Sequence, residues 1–316
     1  MIATKISFQQ KNNLTVLQFA TEVQNTFNYI SAERATKENF IEMKEINERG
    51  SVNNIIVVNR SNEFVFFSDG DILKGAKQNR VVNASILIGP NSENNIPVSC
   101  IEAGRWRFNH NRNFNNGAGP MEIDEKTRFI IDAYVAPTKL RKEKSRAVLE
   151  KLEVGQKHYS DQKKVWDFVS DYTSDRNIES STNDLGEVFN RRGDRLDEFI
   201  KNFTAEKDSN GIAIFIKNKL SSIDIYNRTD IYNEYFPKIL KSAADEVLDL
   251  EDIEEKLNEG KAEKMISDIF DSLENLEKKV FPGVVLGQEK RFTDKSLNGF
   301  TLEYDGHKIH TSIITA

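Results

Sequence analysis

The sequence predicts an α+β fold: a largely antiparallel sheet system built from the N-terminal strands, a pair at 211–226 and the C-terminal strands, covered by a mainly helical middle. Three observations predict it. Short apolar blocks and alternating runs with strand spacing gather near both ends, while between about 138 and 280 the apolar residues recur at helical spacing. The two patterns do not alternate strand by helix, as a βαβ chain would require. No linker divides the chain, so residues 1–316 read as one domain, with a helical subdomain at about 138–205 and further helices at about 237–280.

Thr4–Phe8 and Leu14–Phe19 alternate apolar with polar residues and form an opening strand pair across Gln9–Asn13. In the mixed stretch Tyr29–Arg49, Ile41, Met43 and Ile46 suit a short helix or strand, closed by Gly50. Ile55–Val58 and Phe64–Phe67 flank a four-residue loop of turn formers and read as strands buried on both faces. Val81–Ile88 and Ile96–Glu102 repeat that hairpin pattern around Gly89-Pro90-Asn91. A polar loop at Asn109–Gly119 then suits a flap or a surface loop, and Phe129–Val135 returns as a strand ended by Pro137.

Lys139–Leu152 reads as a helix with a basic, solvated first turn. Val165, Trp166, Val169 and Tyr172 make one helical stripe, and Leu185, Phe189, Leu196, Phe199, Ile200 and Phe203 a second. Gly211–Ile216 and Leu220–Tyr226 pair over Lys217-Asn218-Lys219. Pro237 is placed at the first turn of a helix, where its missing donor costs nothing. The acidic run Asp245–Glu259 reads as a solvated face and turn, and a last helix spans about 262–280 up to Phe281-Pro282-Gly283. Val284–Leu286, Gly299–Tyr304 and Lys308–Ile314 close the chain as strands, with Asp305-Gly306 as a hairpin turn.

Composition narrows the function classes. The 44 basic and 50 acidic side chains nearly cancel, at a net charge of −6, which argues against duplex DNA as a partner because such binding must neutralise many phosphates. A single cysteine makes no internal disulfide, and no run approaches the roughly 18 apolar residues of a membrane helix. A cytoplasmic location without membrane contact is the expectation.

Candidate chemistry concentrates in Ser68–Phe108. There Lys77, Gln78, Asn79 and Arg80 precede Cys100, Glu102, Arg105 and Trp106 within two strand lengths. Strand periodicity turns Arg80 inward with Gln78 and Val82, and Glu102 inward with Val98 and Cys100, so the two charges are expected to meet at the end of the sheet. Two readings follow. In one, Lys77, Arg80 and Arg105 hold the anionic groups of a ligand, Gln78 and Asn79 hydrogen-bond it, Trp106 lines the pocket and Glu102 is the general base. In the other, the same residues form an internal ion pair that locks the hairpins, and the helical face recruits a protein partner. Cys100 reads as a packed apolar residue, and His307 and His310, three apart on a strand, point to opposite faces and share no metal. Neither a metal nor a cofactor is expected.

GDILKGAKQNR (Gly70–Arg80) and IPVSCIEAGRW (Ile96–Trp106), after VVN at Val57–Asn59, resemble the ARG and rhodanese-phosphatase-superfamily-associated protein domain. Asp161-Gln162 before Val165-Trp166, the glycine-led strand Gly211–Phe215, and Asp305-Gly306 with His310 extend the resemblance over nearly the whole chain. It implies a single bacterial family domain associated with ADP-ribosylglycohydrolase, rhodanese and phosphatase partners. A link to ADP-ribose or nucleotide chemistry, bound or hydrolysed, in stress response or defence follows from that association. The charged segment Asp245–Lys279 departs from the family pattern and implies an enlarged helical part.

Overall fold

The computed structural model describes residues 3–22, 25–47, 50–106 and 128–315, so the loop expected at Asn109–Gly119 lies outside the described residues. Strand β1 (Ala3–Lys11) turns at Asn12 into β2 (Leu14–Thr21), and β3 (Ile30–Ser31) leads into α1 (Ala32–Lys37). Next come β4 (Ile41–Lys44), β5 (Asn54–Asn59), β6 (Val65–Phe67), β7 (Asp71–Gly75), β8 (Arg80–Val82), β9 (Ile86–Ile88), β10 (Ser92–Cys100) and β11 (Phe129–Val135). Helices α2 (Thr138–Glu153), α3 (Gln162–Ser174) and α4 (Leu185–Ile200) precede the hairpin of β12 (Gly211–Ile216) and β13 (Lys219–Tyr226). After α5 (Thr229–Val247) and α6 (Glu259–Asn275) the chain ends in β14 (Lys279–Pro282), β15 (Gln288–Thr293), β16 (Leu297–Tyr304) and β17 (His307–Thr315).

The fold is α+β, as expected. N-terminal, middle and C-terminal strands build one eight-stranded antiparallel sheet in the order β1-β2-β12-β13-β17-β16-β15-β14. Period-two alternation gives that sheet two apolar faces. Leu14, Val16, Ile212 and Ile214 face the core shared with α2 to α5, whereas Leu17, Phe19, Ala213 and Phe215 face α6. A six-stranded sheet, β11-β7-β8-β10-β5-β4, and a three-stranded one, β3-β6-β9, complete the body.

Several expectations are corrected. The runs at 55–58 and 64–67 are not a hairpin, because β5 pairs with β4 and β10 while β6 pairs with β3 and β9 in another sheet. The apolar run 81–88 likewise breaks into β8 and β9, which join different sheets. Both halves of each run are apolar, so periodicity could not reveal the change of sheet. Pro237 lies inside α5, whose start at Thr229 is held by the burial of Ile231, Tyr232, Tyr235 and Phe236. The last helix ends at Asn275, and Lys279–Pro282 is an edge strand paired with β15. In the acidic run, Asp245 is buried between Arg176 and Arg192 at 2.6 Å from each.

The largest correction concerns the basic turn of α2. Arg141 and Lys144 are buried, not solvated. Arg141 grips both oxygens of Asp224 on β13 and reaches Asp69 Oδ2 at 3.3 Å, and Lys144 Nζ donates to Asp69 Oδ1 at 3.0 Å. Burial alone would raise the Asp224 carboxyl, but the Arg141 guanidinium, helped by His310, outweighs it and holds the group well below the usual range. Stability from a depressed carboxylate is fully present above its unfolded pKa, near ~3.9, and is lost as pH falls through the folded value. Asp224→Asn leaves Arg141 buried without its counter-charge and should cost about 3–5 kcal/mol at pH 7. In urea denaturation the deficit should shrink progressively below pH ~3.9 as wild-type Asp224 becomes protonated.

Candidate functional site

The seven candidate residues lie together but in two separate clusters. The first is a closed knot around Glu102. Past β7 the chain turns at Gly75, whose φ of 129° is left-handed and where an added Cβ would lie 2.3 Å from the Arg128 carbonyl oxygen, leaving no room for a side chain. Gly75 N–H donates to Asn79 Oδ1 at 3.1 Å, closing the loop that carries Lys77 and Gln78. Asn79 N–H donates to Glu102 Oε2 at 3.0 Å, and Asn79 Nδ2 to Asp184 Oδ2 at 2.9 Å. Arg105 grips Glu102 with Nε and Nη2, both at 2.8 Å, and its Nη1 donates to the Ala76 carbonyl at 2.6 Å. Thr182 Oγ1 donates to Glu102 Oε1 at 3.0 Å. A carboxylate has about four lone-pair sites. All four on Glu102 are therefore taken, which makes it a brace between the 75–80 loop and the chain entering α4.

The second cluster is a corner around Arg80. The register of β8 and β10 sets Arg80 opposite Cys100, and its Nη1 reaches both Cys100 Sγ and Gln78 Oε1. Nη2 donates to the Ser51 carbonyl at 3.2 Å and lies 3.5 Å from Glu45 Oε1. Above them stands Trp106, 45 % exposed, with Lys77 Nζ 5.5 Å and the Arg80 guanidinium carbon 5.6 Å from its ring. Gly50, in the left-handed region at φ 75°, passes so close that an added Cβ would lie 3.2–3.3 Å from Glu45, Lys77 and Trp106. Among the described residues Arg80 Nε and Glu45 Oε2 are buried without hydrogen-bond partners.

Arg80 and Glu102 thus do not meet. Each has found another partner, Glu45 and Arg105 respectively. The expected division into an inward and an outward face also fails, because Lys77, Gln78, Asn79 and Arg80 are all buried. The profile of the ARG and Rhodanese-Phosphatase-superfamily-associated Protein domain matches residues 5–314. The chain belongs to this family. No curated protein and no solved structure matches it. In this family member both motifs carrying the resemblance meet around the knot and the corner, and the later match at His310 falls elsewhere.

That elsewhere is the seam between sheets. Ser85 Oγ lies 2.7 Å from His310 Nδ1, and His310 Nε2 lies 3.3 Å from Asp224 Oδ1. The three side-chain types match a hydrolytic triad, but the Ser85 hydroxyl accepts the Asp69 N–H at 3.0 Å and all three residues are buried. His310 is a core histidine stacked on Tyr226 at 4.6 Å. Sequence reasoning missed Glu45, Thr182 and Asp184, which lie far along the chain and in no motif. The only cue for Asp184 was its position as an N-cap before the α4 stripe, where its side chain accepts the Gly186 N–H.

Cys100 is held by burial, which pushes its thiol up to about 11 despite the adjacent Arg80. Titration with a disulfide reagent at pH 8 should leave the native thiol unreacted and release the full equivalent on unfolding. In thermal melts Glu102→Ala, which strands the buried Arg105, should lose about 3–5 kcal/mol. Trp106→Ala, at a half-exposed ring, should stay within about 0.5 kcal/mol of wild type.

Proposed function

We propose that the protein binds a small anionic, nucleotide-like or ADP-ribose-like ligand at the Arg80 corner, and that its activity there is binding rather than hydrolysis. One observation carries this reading: a half-exposed indole stands over a buried guanidinium whose carboxylate neighbour is also buried, and each keeps a hydrogen-bonding atom unused among the described residues, Arg80 Nε and Glu45 Oε2. A planar ring stacks on Trp106, a worth of about 1–3 kcal/mol for a base on an aromatic side chain. Glu45 Oε2 accepts from a ribose hydroxyl. Lys77 and Arg80 supply the positive field for phosphate or carboxylate groups. Glu102, with every lone pair occupied, positions the loop and abstracts no proton. A place in stress response or defence rests on the family association alone.

The saturation of Glu102 also favours a second reading, in which the whole polar motif is structural and the protein acts by recruiting a protein partner. Calorimetric titration with ADP-ribose, NAD and ATP separates the two. Saturable heat from at least one ligand is expected, weakened about tenfold by Trp106→Ala or Glu45→Gln. Silence from all three in the wild type would leave the structural reading standing.

A further inference from the structure

A cavity of about 360 Å³ opens between the connection from α2 to α3 and the turn after β14, on the β5–β10 side of the six-stranded sheet. Its wall holds one member of an ionisable pair that the candidate site does not use, and the other lies behind it. His158 lines the cavity, and its Nε2 lies 3.2 Å from Glu289 Oε2 on β15. Arg291 Nε donates to the same oxygen at 2.7 Å. Among the described residues Glu289 Oε1 and Arg291 Nη2 are buried without hydrogen-bond partners.

We propose that this cavity is a second binding site, for an uncharged planar heterocycle of base or nucleoside size with a mixed donor–acceptor edge. The chemistry of the wall selects that class. Among the described residues no carboxylate lines the cavity, so nothing there rewards a cation, and the one charged side chain, Lys157, is exposed, where water screens what it could give an anion. Asn95 and Gln156 offer carboxamides, each able to donate and accept at once, as a cyclic amide edge requires, while the Asn54 amide is already engaged with the Tyr159 hydroxyl. Pro97, Leu152 and Phe281 give apolar faces for a flat ring. His158 is the ring on this wall, and its Nε2 is buried without a hydrogen-bond partner among the described residues. The volume lies near the small end of the ~300–1,000 Å³ range of ligand sites, too small for a dinucleotide.

The test follows the imidazoles of the full-length chain, which has four histidines, by NMR during titration with uracil, adenine, uridine and adenosine. A saturable shift of the His158 ring is expected with at least one compound, and the comparison of bases with nucleosides tells whether the sugar is recognised. Asn95→Ala, at an exposed position, should weaken binding about tenfold without unfolding the protein. Trp106→Ala should leave it unchanged, so failure here is distinct from failure at the Arg80 corner. No shift of His158 up to ~1 mM of any compound, or binding that Asn95→Ala and Phe281→Ala leave intact, overturns the proposal.

Discussion

The two-pronged contact between Arg141 and Asp224 ties the helical layer to the large sheet, and the chain leading to the candidate site is hung from it. Arg141 arrives from α2, Asp224 from β13, and Asp69 from the turn before β7. Gly70 shows how close the approach is. Its φ of 90° is left-handed, and an added Cβ would lie 3.1 Å from the Arg141 stem. A buried pair like this returns little net stability over a well-packed apolar alternative, but once present it tolerates no loss of either partner. Its consequence is geometric. With Asp69 fixed between Arg141 and Lys144, the strand that follows has one position, and the 75–80 loop at its far end inherits it.

The fold was legible wherever local pattern and tertiary environment agree. Strands β2, β12, β13 and β17 of the large sheet alternate between two cores, so each announces its faces by periodicity. The central runs 55–58, 64–67 and 81–88 are buried on both faces, and a run of that kind says that it is a strand without saying which sheet it joins. Helix boundaries failed for a similar reason. Pro237 looks like a first-turn residue, but the apolar side chains from Ile231 to Phe236 gain more by continuing the helical stripe than the missing N–H costs.

Charges were misread where their partners come from afar. The basic start of α2 has the composition of a solvated turn, and only the carboxylates of Asp69 and Asp224, 72 and 83 residues away in sequence from Arg141, make its burial tolerable. Arg80 and Glu102 were rightly turned inward and wrongly paired. Register sets Arg80 against Cys100, two residues short of Glu102, and Arg105 lies three residues from Glu102, near enough to take it first. Local geometry won over the longer reach.

What a carboxylate can do is decided by how many donors reach it. Glu102 receives four, from Asn79, Arg105 twice and Thr182, and has no lone pair left for a substrate proton or hydroxyl. Glu45 is as deeply buried, yet its Oε2 receives none among the described residues. Both are glutamates near strand ends, and both lie beside an arginine. Nothing in their sequence surroundings ranks one above the other, since Thr182 comes from 80 residues beyond Glu102 and Lys77 from 32 beyond Glu45. Folding distributes the donors, and the acid it leaves short of them is the one with capacity for a guest. By that count the proposed ligand contact falls on a residue outside the recognisable motif, while the motif residue serves as the brace that keeps the loop in place.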